Sequence, residues 1–176
     1  MLAKIDRFEL LTKEHHVEKF ACGLGALDNF IKKKALDEND SGKSITRVAI
    51  NTNGNIVGYY TIVCSAIVDM TGGIMVYHPS VELKMFALHN EVRGKLYPEE
   101  EYSQFKYSYV MLWKVIEEII KITKNNIGAE YIILYSVKHA IDLYKENGFD
   151  EFSKYMEKNK DEFVDECKPL YMKICD

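Results

Sequence analysis

Paired cysteines are missing from this sequence. Its four cysteines lie far apart, and none has a second cysteine at the CxxC spacing of zinc knuckles or thioredoxin-type motifs. The His15-His16 pair also has no partner at metal-ligand spacing. We therefore expect no metal site, and reduced thiols at Cys22, Cys64, Cys167 and Cys175.

Long apolar runs are missing as well. No window approaches the roughly 18 apolar residues that a membrane-spanning helix needs. The N-terminal stretch MLAKIDRFELLTKEHH carries charges throughout, unlike a secretory signal or a membrane anchor. The sequence therefore predicts a cytoplasmic protein that does not associate with membranes.

The sequence also lacks an excess of basic residues. The formal net charge is -4, so the field of the whole chain does not favour a polyanionic partner. The cluster Lys32 to Lys34 ends a helical segment, where cations also complement the helix dipole. Glu99 to Glu101 are typical of a solvated loop or of the acidic first turn of a helix.

The chain is large enough for one hydrophobic core. It has 176 residues, of which 47% are hydrophobic and 12% are aromatic. Neither an internal repeat nor a low-complexity linker interrupts it. We expect a single domain over residues 1–176.

Hydrophobic periodicity predicts an alternation of helices and strands. The clearest signal is Asn53-Gly54 between two runs of β-branched and aromatic residues, which predicts a hairpin. The predicted elements, in order, are a strand in IDRFELL, a helix in LGALDNFIKKKALDEN, the hairpin in ITRVAINTNGNIVGYYTIVCSAIV, a strand in VELKMFAL, a long helix in YVMLWKVIEEIIKIT, a strand in YIILYSV, a short helix in HAIDLYKENGF and a strand in PLYMKI. The strands 81–88 and 131–137 with the long helix between them form a strand-helix-strand crossover, which predicts an α/β fold.

A signature follows the strand YIILYSV, in the stretch AIDLYKENGF. Tyr144, Gly148 and Phe149 have the spacing Tyr-x-x-x-Gly-Phe, with Ala140 and Leu143 at the expected positions before it. Together with the order of elements, this signature resembles the GNAT superfamily of acyl-CoA-dependent N-acyltransferases over nearly the whole chain. The resemblance implies a central mixed, mostly antiparallel twisted sheet of six to seven strands, with helices on both faces and a splayed pair of parallel strands.

A second pattern lies in FACGLGALDNFIKKKA. It looks like the branch of the superfamily that contains toxin-type acetyltransferases acting on aminoacyl-tRNA, a branch that also includes members not known to be toxins. The matching residues are Phe20, Cys22, Gly23, Leu27, Asp28 and Phe30. The match indicates the subfamily better than the substrate.

The phosphate-binding loop departs from the family pattern. Members normally carry Gln/Arg-x-x-Gly-x-Gly/Ala at the start of the long helix, where backbone N–H groups reach the CoA pyrophosphate. Here Arg93, Gly94 and Lys95 resemble the first half of that loop, but the second glycine is missing and an acidic insertion follows. Either the insertion loops out, so that Tyr107 and Ser108 open the helix over the pyrophosphate, or CoA binding is weakened. We favour the first, because helix N-termini bind anions through N–H groups and tolerate serine.

The resemblance also implies roles in acetyl transfer. Tyr144 would protonate the departing thiolate, since a phenol is protonated at neutral pH; alternatively its ring only packs against Phe149. Glu82 would accept the proton of the amine through water, or it is a solvent-facing strand residue. Further contacts to CoA are expected from the main chain of Met85, Phe86, Ala87 and Leu88 and from Ser136, Ala140 and Leu143.

We therefore expect an N-acetyltransferase that moves an acetyl group from acetyl-CoA to a primary amine by direct transfer in a ternary complex, with no metal. The acceptor is a small-molecule or protein amine, or the aminoacyl end of a tRNA. The FxCG…LDxF pattern favours tRNA and the net charge disfavours it. The altered phosphate loop motivates a rival hypothesis, a non-catalytic CoA-binding or protein-interaction module. The resemblance also implies a possible homodimer.

Overall fold

The computed structural model describes residues 2–152, 156–157 and 167–174. The chain divides into two compact units, each made of two stretches of sequence. The first unit contains Met1–Val63 and Lys84–Val115, and the second contains Cys64–Leu83 and Ile116–Asp176. The single domain over residues 1–176 stays a prediction. Cys22, Cys64 and Cys167 form no disulfide among the described residues, and Cys175 lies outside them.

The order of the predicted elements is confirmed. The helices and strands are β1 (Ile5–Leu10), α1 (Gly25–Lys33), α2 (Ala35–Asp40), β2 (Ile45–Asn51), β3 (Ile56–Asp69), β4 (Val76–Leu88), α3 (Tyr107–Asn125), β5 (Tyr131–Ser136), α4 (Ile141–Lys145), β6 (Asp150–Glu151), β7 (Met156–Glu157) and β8 (Lys168–Lys173). The sequence did not predict β6 and β7, because two residues are too few to carry a periodic pattern.

The first unit contains an antiparallel meander. β1 pairs with β2, and β2 pairs with β3, which confirms the predicted hairpin. The Asn51 side-chain oxygen accepts hydrogen bonds from the N–H groups of Asn53 and Asn55, at 3.0 and 2.9 Å. Gly54 has φ +79°, a left-handed conformation that glycine adopts without steric cost. These local contacts set the turn between β2 and β3.

A hydrophobic cluster supports the meander and α1. The ring of Tyr59 on β3 contacts the rings of Phe20 and Phe30, with centroids 5.4 and 6.4 Å apart. The Tyr59 hydroxyl donates a hydrogen bond to the Leu27 carbonyl at 2.8 Å. The other members of the cluster are Leu11, Cys22, Ile31, Ala35, Val48, Ile50, Met85 and Ala87.

The second unit contains the parallel pair. β4 and β5 are parallel, β5 pairs antiparallel with β8, and β8 pairs antiparallel with β6. β7 pairs antiparallel with β3. The parallel register consists of Ser80↔Tyr131, Val81↔Ile132 and Glu82↔Ile133. The crossover through α3 and the mixed, mostly antiparallel sheet are therefore confirmed.

The structure corrects the predicted N-terminal helix. The sequence predicts one helix over LGALDNFIKKKALDEN, but α1 and α2 are separated at Lys34, whose φ of -121° lies outside the helical range. The hydrogen bonding continues, since the Lys34 N–H donates to the Phe30 carbonyl at 2.9 Å. Phe30, Ile31 and Ala35 all belong to the cluster. Ile31 and Ala35 are four residues apart and share this buried face, as they would in an unbroken helix.

Two other boundaries also differ from the prediction. β4 begins at Val76 rather than Val81, and it contains Pro79, a residue that ordinarily argues against a strand interior. Pro79 is tolerated there, and its carbonyl accepts the Glu130 N–H at 2.8 Å. The helix predicted in HAIDLYKENGF is shorter, because a 3₁₀ turn at Lys138–Ala140 precedes α4.

The apolar face of α3 is buried as predicted. Met111, Leu112, Val115 and Ile119 are fully buried. Within the described residues, no helix is long and apolar enough to cross a membrane.

Candidate functional site

The acidic insertion loops out in the first unit. Leu96 and Lys106 form an antiparallel bridge at its base. Just outside the bridge, the Tyr107 N–H donates to the Lys95 carbonyl at 2.8 Å. Residues 96–106 therefore form a loop whose two ends lie side by side. Because of this closure, Arg93-Gly94-Lys95 lies directly beside the start of α3.

The insertion is anchored on the N-terminal strand. The Ile5 N–H donates to the hydroxyl of Tyr97 at 2.9 Å, and Lys4 forms an ion pair with Glu99 at 2.7 Å. Burial raises the pKa of the Tyr97 phenol to about 12, so this hydroxyl remains neutral. Lys4 thus partly neutralises the charge of Glu99. The side chains of Glu100 and Glu101 are exposed to solvent. The first acidic residue of the insertion thus has a cationic partner within the chain.

Tyr107 uses both of its donors inside the first unit. Its side chain is fully buried, and its hydroxyl donates to the Ala3 carbonyl at 3.0 Å. Its N–H is bound to Lys95, as described above. Burial raises the pKa of this phenol well above its ordinary value. Tyr107 therefore shapes the start of α3, and the half-buried Ser108 is the predicted helix-opening residue that offers a hydroxyl and an N–H.

The loop before the insertion has an accessible main chain. Gly94 has φ +75°, and no described atom lies within 4 Å of the position that a Cβ would occupy there. Arg93 and Lys95 are both exposed. Arg93 is nevertheless held on one side, because its Nη1 donates to the Cys22 carbonyl at 2.8 Å. The loop thus offers backbone and two cationic side chains next to a helix N-terminus.

The end of β4 offers its main chain rather than polar side chains. Met85, Ala87 and Leu88 are buried, and Phe86 is half-buried. Immediately after the strand, the His89 N–H donates to the Val57 carbonyl at 2.8 Å. The contacts of this segment with CoA stay a prediction.

In the second unit, Tyr144 lies on α4 and is 7% exposed. Its ring meets the ring of Phe149 edge-on, with centroids 5.8 Å apart. The Phe149 N–H donates to the Tyr144 carbonyl at 3.1 Å, and Gly148 has φ +88°. Burial raises the pKa of the Tyr144 phenol, so the hydroxyl is protonated at neutral pH. The packing role and the donor role are therefore compatible.

The other candidates of the second unit differ in burial. Glu82 is half-buried and lies in the parallel register opposite Ile133. Ser136 is buried, and its hydroxyl donates to the Val137 carbonyl at 3.0 Å. Ala140 ends the 3₁₀ turn before α4 and Leu143 lies on α4; both are half-buried. Among the described residues, no group of three His, Cys, Asp or Glu side chains is arranged to hold a metal ion.

Sequence reasoning missed one set of contacts at the candidate site. The segment FACG lies against the residues that follow β4. The Asn90 N–H donates to the Ala21 carbonyl at 2.8 Å, and the rings of Phe20 and His89 meet at 5.6 Å. The FxCG…LDxF pattern was visible in the sequence, but nothing in its spacing indicated that it would contact Arg93.

Comparison with known proteins identifies the fold. A scan against models of known protein families finds no match for this chain. Solved structures match it over nearly its full length. AtaTR bound with acetyl-CoA has a TM-score of 0.67 at 17% identity, covering 96% of this chain and 92% of that one. AtaT complexed with acetyl-methionyl-tRNAfMet has a TM-score of 0.69 at 16% identity, covering 95% and 94%. A tyrosine-to-phenylalanine mutant of KacT has a TM-score of 0.70 at 16% identity, covering 96% and 94%.

These similarities confirm the predicted α/β GNAT fold. At this level of sequence identity they show the arrangement of elements that the chain shares with AtaT and KacT.

Proposed function

We propose that this chain, which has the fold of AtaT and KacT, is an acetyl-CoA-dependent N-acetyltransferase that transfers the acetyl group directly to a primary amine in a ternary complex. The closure of the insertion carries the proposal, because it sets Arg93-Gly94-Lys95 beside the N-terminus of α3. α3 has 19 residues and a partial positive charge at this end. The N–H groups of Tyr107, Tyr109 and Val110 bind the carbonyls of Lys95 and Lys106, so Ser108 supplies the N–H that this end offers an anion. Such an end binds phosphates readily.

The residues of the loop fit the phosphates of CoA. Gly94 leaves the backbone open to close approach, and Ser108 offers an N–H and a hydroxyl at the helix start. Arg93 and Lys95 add two positive charges. Anion-binding loops need N–H groups more than a particular side chain. The N–H groups of Arg93 and Lys95 bind the carbonyls of His89 and Val92, which leaves those of Gly94 and Ser108 for a phosphate. The pairing of Glu99 with Lys4 supports this reading.

The chain supplies three further functions to the reaction. Acetyl-CoA, when bound, provides an activated thioester. The main chain of Met85, Phe86, Ala87 and Leu88 would hold the pantetheine arm and donate an N–H to the thioester oxygen. Tyr144 would act as an acid or as a hydrogen-bond donor to the CoA sulfur, because a thiolate whose conjugate acid has a pKa of about 8.5 leaves readily once it is hydrogen-bonded. Structures of tyrosine-to-phenylalanine mutants exist for both AtaT and KacT.

Glu82 would act as the general base. It would accept the proton of the attacking amine through a water molecule, which matters most for an amine such as lysine with a pKa of about 10.4. An α-amine, with a pKa near 8, needs little assistance at neutral pH. The effect of replacing Glu82 would therefore indicate which kind of amine the chain acetylates.

An aminoacyl-tRNA is the second candidate acceptor. The complex of AtaT with acetyl-methionyl-tRNAfMet supports it. The net charge of -4 argues against it, because binding to phosphates is driven by clustered Lys and Arg. Several cations of this chain are also paired with carboxylates, as Lys84 is with Glu38 at 3.0 Å. We therefore rank a small-molecule or protein amine first.

The test combines binding and turnover. Acetyl-CoA is titrated into the protein by calorimetry, and CoA release is followed with a panel of small amines, lysine and α-amine peptides, and charged tRNA. We expect saturable binding and CoA release with one acceptor class. If the protein does not bind acetyl-CoA at millimolar concentration, the enzyme proposal is wrong and a protein-interaction module becomes the better account.

Tyr107→Phe separates structure from cofactor binding at the helix start. Removing the hydroxyl deletes the hydrogen bond to Ala3, which should cost about 1 kcal/mol of the free energy of unfolding and lower Tm by roughly 3 °C. The Kd for CoA should stay within about twofold of wild type, since the hydroxyl faces the N-terminal strand. A variant with unchanged Tm and weakened CoA binding would contradict this assignment. Tyr77→Phe, at a tyrosine 63% exposed, is the control.

A further inference from the structure

The segment FACG and the residues after β4 are joined by several contacts. The carbonyl of Ala21 accepts the Asn90 N–H, and the carbonyl of Cys22 accepts Nη1 of Arg93, both at 2.8 Å. Gly23 has φ +83°, and a Cβ there would lie 3.3 Å from the same Nη1 atom. A glycine at this position therefore makes room for the guanidinium.

The carboxylate of Asp28 binds the same segment, at the N–H group of Cys22. Its Oδ1 accepts the Cys22 N–H at 2.8 Å. Burial alone would raise the pKa of Asp28, but the hydrogen bond from the Cys22 N–H and the charge of Lys32 lower it below its ordinary value. The carboxylate is thus ionised at neutral pH and stabilises the backbone around Cys22.

Cys22 connects the two ends. Its N–H donates to the Asp28 carboxylate and its carbonyl accepts Nη1 of Arg93, both at 2.8 Å. Hydrogen bonds to a charged carboxylate are shorter and stronger than those between neutral groups. Asp28 therefore holds the backbone of the residue whose carbonyl orients Arg93.

We propose that Asp28 is a positioning residue for the phosphates of CoA, acting through the backbone of Cys22 on the guanidinium of Arg93. This inference rests on the proposed function. A guanidinium has five N–H donors in a fixed planar fork, so fixing Nη1 on Cys22 leaves other donors for a phosphate. Arg93 is exposed, and without this anchor its side chain would lose its orientation. The FxCG…LDxF pattern then has a role in the cofactor site.

The test replaces Asp28 with asparagine, which keeps the size of the side chain and removes its charge. By calorimetry, the Kd for CoA should rise roughly fivefold, as expected for the loss of a charge-assisted orientation of one hydrogen bond. The Kd for pantetheine, the half of CoA without the nucleotide and its phosphates, should change less than about twofold. Asp37→Asn, at an exposed aspartate of α2, makes the same charge change and should leave both constants unaltered.

A double-mutant cycle tests whether the effect passes through Arg93. In an Arg93→Ala background, Asp28→Asn should have no additional effect on the Kd for CoA, because the residue that it orients is gone. Additive losses would overturn the proposal, as would an equal weakening of CoA and pantetheine or an unchanged Kd for CoA in Asp28→Asn. Wild-type protein that fails to bind CoA would instead refute the proposed function itself.

Arg93→Lys provides an independent route if Asp28→Asn does not fold. Lysine keeps the positive charge but loses the planar fork that binds Cys22 and a phosphate together. Its Kd for CoA should also rise roughly fivefold, with Tm near that of wild type because the side chain is exposed. An Arg93→Lys variant that binds CoA as tightly as wild type would overturn the positioning role.

Discussion

Replacing Tyr144 with phenylalanine should lower kcat for acetyl transfer by about tenfold to a hundredfold, while the Kd for acetyl-CoA stays within about twofold of wild type. Phenylalanine keeps the ring that packs edge-on against Phe149 and removes only the hydroxyl. Burial raises the pKa of that hydroxyl, which keeps it protonated at neutral pH and available to the thiolate. The measurement is CoA release with the acceptor found in the panel, together with calorimetry.

The matched control for Tyr144 is Tyr77→Phe, the same chemical change at an exposed tyrosine. It should leave kcat unaltered. If Tyr144→Phe retains the wild-type kcat, the residue only packs against Phe149. A loss of kcat accompanied by a large fall in Tm would likewise assign Tyr144 to packing, since the damage would then be structural.

Gly58→Ala should cost about 3 kcal/mol of the free energy of unfolding and lower Tm by roughly 9 °C. A Cβ at Gly58 would lie 2.6 Å from Sδ of Met111 and 2.7 Å from the carbonyl oxygen of Ala87. Met111 is a flexible side chain and can shift, but the Ala87 carbonyl is backbone of β4 and cannot move alone. In the first unit, Gly58 therefore allows β3 to lie close to both β4 and α3.

Gly58→Ala also connects stability with the candidate site. Displacing the Ala87 carbonyl moves the β4 segment proposed to hold the thioester, so the folded fraction should show a lower kcat/KM for acetyl-CoA. Gly128→Ala, at a glycine with no described atom within 4 Å of a Cβ, is the control and should leave Tm within about 2 °C. A Gly58→Ala variant as stable and as active as wild type would contradict the packing argument.

Local patterns predicted most of the fold. The hairpin at Asn53-Gly54 follows from a turn that Asn51 and Gly54 form by themselves, and the buried face of α3 follows from its apolar spacing. The errors arose where distant residues decide a boundary. Lys34, with φ -121°, interrupts a helix whose apolar periodicity continues from Phe30 and Ile31 to Ala35. Pro79 lies within β4 despite its poor strand propensity.

The candidate site divides in the same way. The signature that ends in Gly148-Phe149 indicated Tyr144, since its residues lie within six positions of one another, on α4 and in the turn that follows it. Tyr107 was expected over the pyrophosphate from its place at the helix start, but its hydroxyl binds Ala3, about a hundred residues away in sequence. A contact of that separation leaves no trace in local spacing.

The sequence by itself determined the order of elements, the hairpin, the apolar face of α3 and the Tyr144 signature, because each depends on residues within one or two turns of each other. Only the tertiary structure decided that the acidic insertion closes at Lys95 and Tyr107 and that Glu99 pairs with Lys4. It also decided that the Cys22 carbonyl accepts a hydrogen bond from Arg93. These features depend on hydrogen bonds and ion pairs between segments 12 to 95 residues apart. Such pairings depend on how the whole chain folds, and neither partner indicates the other in the sequence.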